Sequence, residues 1–387
     1  MKYLGFDPSV LESKGAIHTA REIAQQPVLW QRVWERAVED RDGLQTFLDE
    51  ALSRSKRIIL TGAGTSAFIG LSLIGAFQRR TGILTEAIAT TDLVSHPRDF
   101  LHRDIPTLMI SFARSGNSPE SVAVLALAEE LCSNCYHLII TCNPDGKLAK
   151  FDAGKRKYVF ALPPEANDQS LAMTSSYTGM LLAGLLIARL KDLDAARKSV
   201  DVLAGYGKRL IEHGASEIRK ISEYDFKRAV FLGSGPFFGA ARESHLKVQE
   251  LTDGLIICKE DSFLGFRHGP KAVIDDETIV FYLFSNEPYA SQYERDLVYS
   301  MKRGRKPMLE VGVMESKMPD LPLDYSFSLS DNGVRLDEEF LTVCSVVPAQ
   351  LLGFFKSLGL GLQPDSPSAS GSISRVVEKF QIYELKH

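Results

Sequence analysis

One pattern occurs twice in this chain and restricts what it can fold into. KRIILTGAG beginning at Lys56 returns 171 residues later as KRAVFLGSG beginning at Lys227, and at the same offset TLMISF from Thr107 falls on TIVFYL from Thr278. Each copy is a short β-branched or aromatic run that closes on Gly-x-Gly, and two such segments in one register indicate a duplicated unit. Between Lys56 and Leu162 the runs RIILTG, TLMISF, HLIITC and KYVFAL alternate with helix-like stretches such as FIGLSLIGAFQRR and PESVAVLALAEELC. Strands alternating with helices give a parallel sheet covered on both faces, hence an α/β class. At 387 residues the chain exceeds what a single core comfortably fills, so two such domains are expected. Residues 11–55 read as a helical leader, with Pro27 breaking one helix before VLWQRVWERAVED begins another.

The duplication serves as an internal control for function. Thr65 and Ser66, which follow the first Gly62-Ala-Gly64, correspond to Pro236 and Phe237, and ARSGNS within SFARSGNSPES corresponds to FSNEPY. The strand, the turn and the paired glycines repeat, whereas the hydroxyls do not. Ligands of an open parallel sheet sit beyond the carboxyl ends of its strands, where both hydroxyl-rich loops fall. Gly64, Thr65, Ser66, Ser115 and Ser118 therefore offer backbone N–H groups at helix starts, close approach and short donors, which together suit a phosphate. Arg114 adds charge or guards the rim. Any one of these hydroxyls could equally be a helix N-cap. Gly62-x-Gly64-x-x-Ala67 also satisfies a dinucleotide fingerprint, with Glu86 as the ribose-binding acid, but that reading leaves the second hydroxyl loop without a role, and a Walker Lys-Ser/Thr pair is absent.

A net charge of -4 and a pI near 6.1, with both signs spread along the chain, give no reason to expect nucleic acid or an anionic membrane as partner. No apolar run reaches the roughly 20 residues of a membrane span, and MKYLGFDPSVLESKG lacks the apolar stretch of a signal peptide, so a small-molecule or protein partner in the cytoplasm is expected. Five cysteines, at 132, 135, 142, 258 and 344, suit reduced core thiols better than a disulfide framework, and the lone Cys132-x-x-Cys135 is a weak metal or redox signal.

In the second half, ARESHLKVQELTDG follows Gly235 and sets Lys247 and Glu250 three apart on one helix face. FRHGP then holds His268 between an arginine and a Gly-Pro turn. A carboxylate, an ammonium and an imidazole suit proton abstraction next to a carbonyl, with acid help in ring opening. Spacing leaves open that Lys247 and Glu250 are a solvated pair and that His268 caps a turn.

The chain resembles the double sugar-isomerase (SIS) domain family and is similar to the isomerase half of glucosamine-6-phosphate synthase. The resemblance rests on EIAQQP at 22–27, GAGTS at 62–66, SFARSGNSPES, MTSSYTGM at 173–180, LKVQELTDG at 246–254, RHGP at 267–270 and the C-terminal tail. FARSGNSPES, TSSYTGM and FLGFRHGP resemble more closely the bacterial proteins once labelled tagatose-6-phosphate ketose/aldose isomerases and understood as galactosamine-6-phosphate deaminases. The resemblance implies two tandem flavodoxin-like α-β-α sandwiches, at 51–205 and 210–365, between a leader at 1–50 and a tail at 366–387. It implies that Thr65, Ser66, Ser115 and Ser118 hold a hexose or hexosamine 6-phosphate, with Ser175 lining the pocket. It makes Glu250 the base moving a proton between C1 and C2, Lys247 its helper and His268 the ring-opening acid/base. In the synthase that histidine comes from a neighbouring subunit, which implies a homodimer; no metal or organic cofactor is implied. Two departures stand out. Ala113 and Arg114 replace a serine and a glutamine of the synthase loop, and Arg375 stands where the synthase uses a tail lysine; an arginine stays protonated and can only bind. The expected reaction is galactosamine 6-phosphate and water to tagatose 6-phosphate and ammonia. A plain ketose/aldose isomerase and a sugar-phosphate sensor without turnover are the alternatives.

Overall fold

The computed structural model describes residues 2–330, 333–375 and 381–385. Within the tail stretch SISRVVEKF, residues 376–380 lie outside the described residues. Ten strands form two parallel five-stranded sheets. The first contains β1 (Arg57–Thr61), β2 (Leu84–Ala87), β3 (Thr107–Ala113), β4 (Cys135–Thr141) and β5 (Lys157–Ala161), in the order β2-β1-β3-β4-β5. The second contains β6 (Arg228–Gly233), β7 (Ile257–Asp261), β8 (Thr278–Leu283), β9 (Leu309–Met314) and β10 (Tyr325–Ser328), in the order β10-β9-β8-β6-β7. Read from the other edge this is the same order. The sheets also share register, since Arg57 pairs with Thr107 and Arg228 with Thr278. Both are parallel sheets of the flavodoxin-like strand order, duplicated as the repeat predicts, and each reverses its strand order between its first and third strands.

Strands β1, β3 and β4 are buried at every position, as strands covered by helices on both faces must be. The two glycines of each repeat have the same structural duty in both copies. A Cβ on Gly62 would meet the Ser66 carbonyl carbon at 2.6 Å, and one on Gly233 the Phe237 carbonyl carbon at 2.8 Å. Gly64 and Gly235 adopt φ of 55° and 56°, a conformation that strains residues with a Cβ.

By packing, the chain divides into two compact units that interleave along the sequence. The first-sheet unit comprises Leu29–Asn167, Ser175–Arg197 and the tail from Ser374; the second-sheet unit comprises the residues up to Val28, Asp168–Thr174 and Lys198–Ile373. The leader departs from the sequence expectation, because one helix, Ile17–Glu39, runs straight through Pro27. Proline removes the N–H that would bond the Ile23 carbonyl, and the Gln26 side-chain amide donates to that carbonyl instead, at 3.1 Å.

The stretch 338–359 is long and apolar enough by composition to cross a membrane, which the sequence pattern did not single out, and 94% of its most apolar window is buried inside the fold. It consists of the helices Glu338–Ser345 and Val347–Gly359 of the second-sheet unit, so its apolarity is accounted for by core packing.

Candidate active site

The hydroxyl loops lie at the strand-order reversal of the first sheet. Gly62-Ala-Gly64 follows β1 and leads into the helix Thr65–Thr81, while Arg114–Ser118 follows β3 and leads into the helix Pro119–Leu131. Ser175 opens a third helix of the same unit, Ser175–Ala188, whose residues from Ser175 to Ile187 are all buried. That helix lies tightly against its neighbours, since a Cβ on Gly184 would meet the Leu73 side chain at 2.5 Å.

The serine loop is fixed by a neighbouring turn. Asn143 Nδ2 donates to the Ser115 carbonyl at 2.9 Å, the Lys147 N–H donates to Asn117 Oδ1 at 3.1 Å, and the Leu148 N–H donates to the Gly116 carbonyl at 2.9 Å. Gly116, at φ 65°, makes the turn possible. Ser118 occupies the N-cap position of the helix Pro119–Leu131, yet its side chain makes no capping hydrogen bond. The capping alternative for Ser118 therefore has no bond behind it. A real cap replaced by alanine costs about 1 kcal/mol. On the expectation from the sequence that Ser118 holds a phosphate, Ser118→Ala leaves the melting temperature nearly unchanged while raising KM about tenfold, as loss of binding without loss of chemistry does. Thermal melts and steady-state kinetics on the same preparation read both.

Two further expectations meet other partners here. Glu86 Oε2 accepts from Arg57 Nε at 2.5 Å, an ion pair between adjacent strands, so the dinucleotide alternative loses its acid. Buried Arg114 donates to the backbone carbonyl of Arg375, and Arg375 Nη2 donates to Asn167 Oδ1 at 3.2 Å, so both arginines tie the tail to the first-sheet unit. The thiols of Cys132 and Cys135 are buried, and burial pushes both pKa values up. Among the described residues no group of three or more His, Cys, Asp or Glu side chains is placed to hold a metal ion.

The candidate acid/base residues belong to the second-sheet unit. The helix Phe237–Leu251 carries Lys247, which is 0% exposed; its Nζ lies 2.6 Å from Glu250 Oε2 and 3.4 Å from Glu243 Oε1. Lys247 and Glu250 are thus paired as their spacing predicts, but the lysine end is fully buried and Glu250 only partly exposed, unlike a solvated surface couple. Gly353 explains how the lysine is covered: a Cβ there would come within 3.1 Å of the Lys247 carbonyl, so the helix Val347–Gly359 packs directly on this turn. The other face of this helix is anchored to β7, where Arg242 Nε and His245 Nδ1 lie 3.3 and 3.4 Å from the Glu260 carboxylate. Burial pushes the His245 imidazole pKa down.

His268 follows the short helix Phe263–Phe266, whose two phenylalanines are fully buried and whose Ser262 N-cap accepts from the Gly265 N–H at 3.0 Å. Gly265 lies close under the Asp261 and Ser262 side chains, since a Cβ there would come within 2.5 Å of Asp261 Oδ1. FLGFRHGP is therefore an anchored platform with an exposed histidine at its tip. Among the described residues no side chain or carbonyl hydrogen-bonds to the His268 ring, and no ion pair joins it to Glu250.

The SIS domain family matches residues 51–190. Over 378 residues the chain is 40% identical to D-galactosamine-6-phosphate deaminase AgaS of Shewanella sp. (strain ANA-3), spanning 96% of this chain and 93% of that protein. The chain belongs to the AgaS family of SIS-domain proteins. The D-galactosamine-6-phosphate deaminase AgaS of Escherichia coli is 40% identical over 363 residues, covering 93% of this chain and 94% of its own. The solved structure of tagatose-6-phosphate ketose/aldose isomerase from Escherichia coli superposes with a TM-score of 0.88 at 34% identity, over 100% of both chains. Sequence reasoning missed one member of the polar cluster in this AgaS-family chain. Glu243, also 0% exposed, stands one turn before Lys247, and its i,i+4 spacing was the available signal.

Proposed function

We propose that the chain is a galactosamine-6-phosphate deaminase with aldose-ketose isomerase chemistry, acting as a hydrolase on a C–N bond. The observation that carries this reading is 40% identity to an AgaS deaminase over 96% of the chain. The placement of hydroxyl loops at the strand reversal of the first sheet alone supports it. In this reading Gly64, Thr65, Ser66, Ser115, Ser118 and Ser175 hold the phosphate, Arg114 and Arg375 hold the tail beside them, and His268, donated by a second copy in a homodimer, opens the ring. The open chain then carries an aldehyde at C1 and an amine at C2.

Glu250 removes the C2 proton, which the adjacent carbonyl acidifies, and returns it to C1; the C2 amine becomes a ketimine as C1 becomes CH2OH. Lys247 polarises the carbonyl end. Water adds at C2 and the C–N bond breaks, giving tagatose 6-phosphate and ammonia, so the substrate's own carbonyl serves where a cofactor otherwise would. The cytoplasm is the proposed place of action, because sugar phosphates do not cross membranes unaided.

The test is an ammonia assay on the purified protein. Release from galactosamine 6-phosphate supports the reading; interconversion of galactose 6-phosphate and tagatose 6-phosphate without ammonia release would replace it with a plain isomerase.

A further inference from the structure

The EIAQQP motif takes no part in the chemistry above, yet it forms the centre of a buried polar network in the second-sheet unit. Glu22, Gln26, Asp168, Ser170, Thr174 and Gln350 are each at most 2% exposed. Glu22 Oε1 accepts from the Gln169 N–H at 2.5 Å, and Glu22 Oε2 accepts from the Ser170 hydroxyl. Asp168 Oδ2 accepts from the Thr174 N–H at 2.8 Å, closing the segment on itself. Gln26 donates to Gln350 Oε1 at 2.7 Å, and Gln350 Nε2 reaches the Thr174 carbonyl at 3.5 Å. Residues 168–174 are thus held at several points, chiefly through side chains of the helix that begins at Ile17.

Burying two carboxylates side by side is expensive. Burial and the Asp168 charge together push the Glu22 carboxyl up to about 7. An apolar contact would fasten a loop at lower cost, but it would not define the position of each peptide N–H. The fastened segment ends at Thr174, and Ser175 is the next residue in the chain. We propose that Glu22 is a positioning residue for substrate binding: by fixing Gln169 and Ser170 it sets the segment that presents Ser175, without touching the sugar. The inference rests on the proposed role of Ser175 in holding the substrate.

Glu22→Gln keeps the volume and removes one acceptor. It is expected to raise KM for galactosamine 6-phosphate about tenfold with kcat within about threefold, the mark of lost ground-state binding. In a Ser175→Ala background the same substitution is expected to add less than about twofold, because both act through one hydroxyl. An unchanged KM in Glu22→Gln, or effects of the two substitutions that multiply fully, would overturn the inference. Ser170→Ala, alone and with Ser175→Ala, gives the same reading should Glu22→Gln not fold. If Ser175→Ala alone leaves KM unchanged, the role of Ser175 fails and the inference with it; an unchanged Glu22→Gln beside a weakened Ser175→Ala overturns this inference only.

Discussion

Glu250→Gln is expected to reduce ammonia release from galactosamine 6-phosphate by about 10²–10⁴ in kcat, the usual contribution of a positioned general base, while leaving affinity for a non-reacting hexitol 6-phosphate within about threefold. The carboxamide is nearly isosteric, and its oxygen can still accept from Lys247 Nζ, which lies 2.6 Å from Glu250 in the native protein. Position, volume and the lysine contact survive; only the ability to take the C2 proton is lost. Calorimetric binding of the hexitol phosphate beside single-turnover kinetics separates the two effects. Full turnover by the variant would remove Glu250 from the mechanism, whichever sugar is used.

The second large effect concerns stability as well as rate. Lys247 is 0% exposed between Glu250 and the equally buried Glu243. The cost of taking this ammonium out of water is offset by the two carboxylates, and removing one member of a buried ion cluster leaves the others uncompensated, typically at about 3–5 kcal/mol. Lys247→Met is therefore expected to lower the urea midpoint sharply and to abolish turnover. Adding Glu243→Gln to Lys247→Met removes the most deeply buried orphaned charge and is expected to restore most of the midpoint, yet none of the turnover, because the ammonium proposed to polarise the carbonyl end is still missing. A double variant that regained activity would show that Lys247 serves folding only.

The sequence made the architecture legible because strand alternation and paired glycines answer to backbone geometry, which repeats wherever the fold repeats. Gly64 and Gly235 share φ near 55°, and their residue types repeat with it. The hydroxyl loops were legible for the opposite reason, since the second copy dispenses with them. What stayed hidden depends on side chains distant in sequence or on bonds that periodicity does not reveal. Pro27 reads as a helix break, because nothing in the spacing shows Gln26 bonding the Ile23 carbonyl. Glu243 reads as one of many helix acids until the helix bearing Gly353 covers the adjacent Lys247 carbonyl. The bond from Arg114 to the tail carbonyl of Arg375, 261 residues further on, leaves no trace in the local spacing. The interleaving of the two units leaves no local mark, because Asp168–Thr174 looks like any loop between a strand and a helix.

The most direct measurement tracks galactosamine 6-phosphate, carbon-13 labelled at C2, by NMR in the presence of the purified protein, with ammonium assayed in the same tube. The account requires the amine-bearing C2 signal to give way to the quaternary C2 of tagatose 6-phosphate, with one equivalent of ammonium for each ketose formed. An unchanged C2 signal, or conversion of neutral hexose 6-phosphates with no ammonium from the amino sugar, would contradict it.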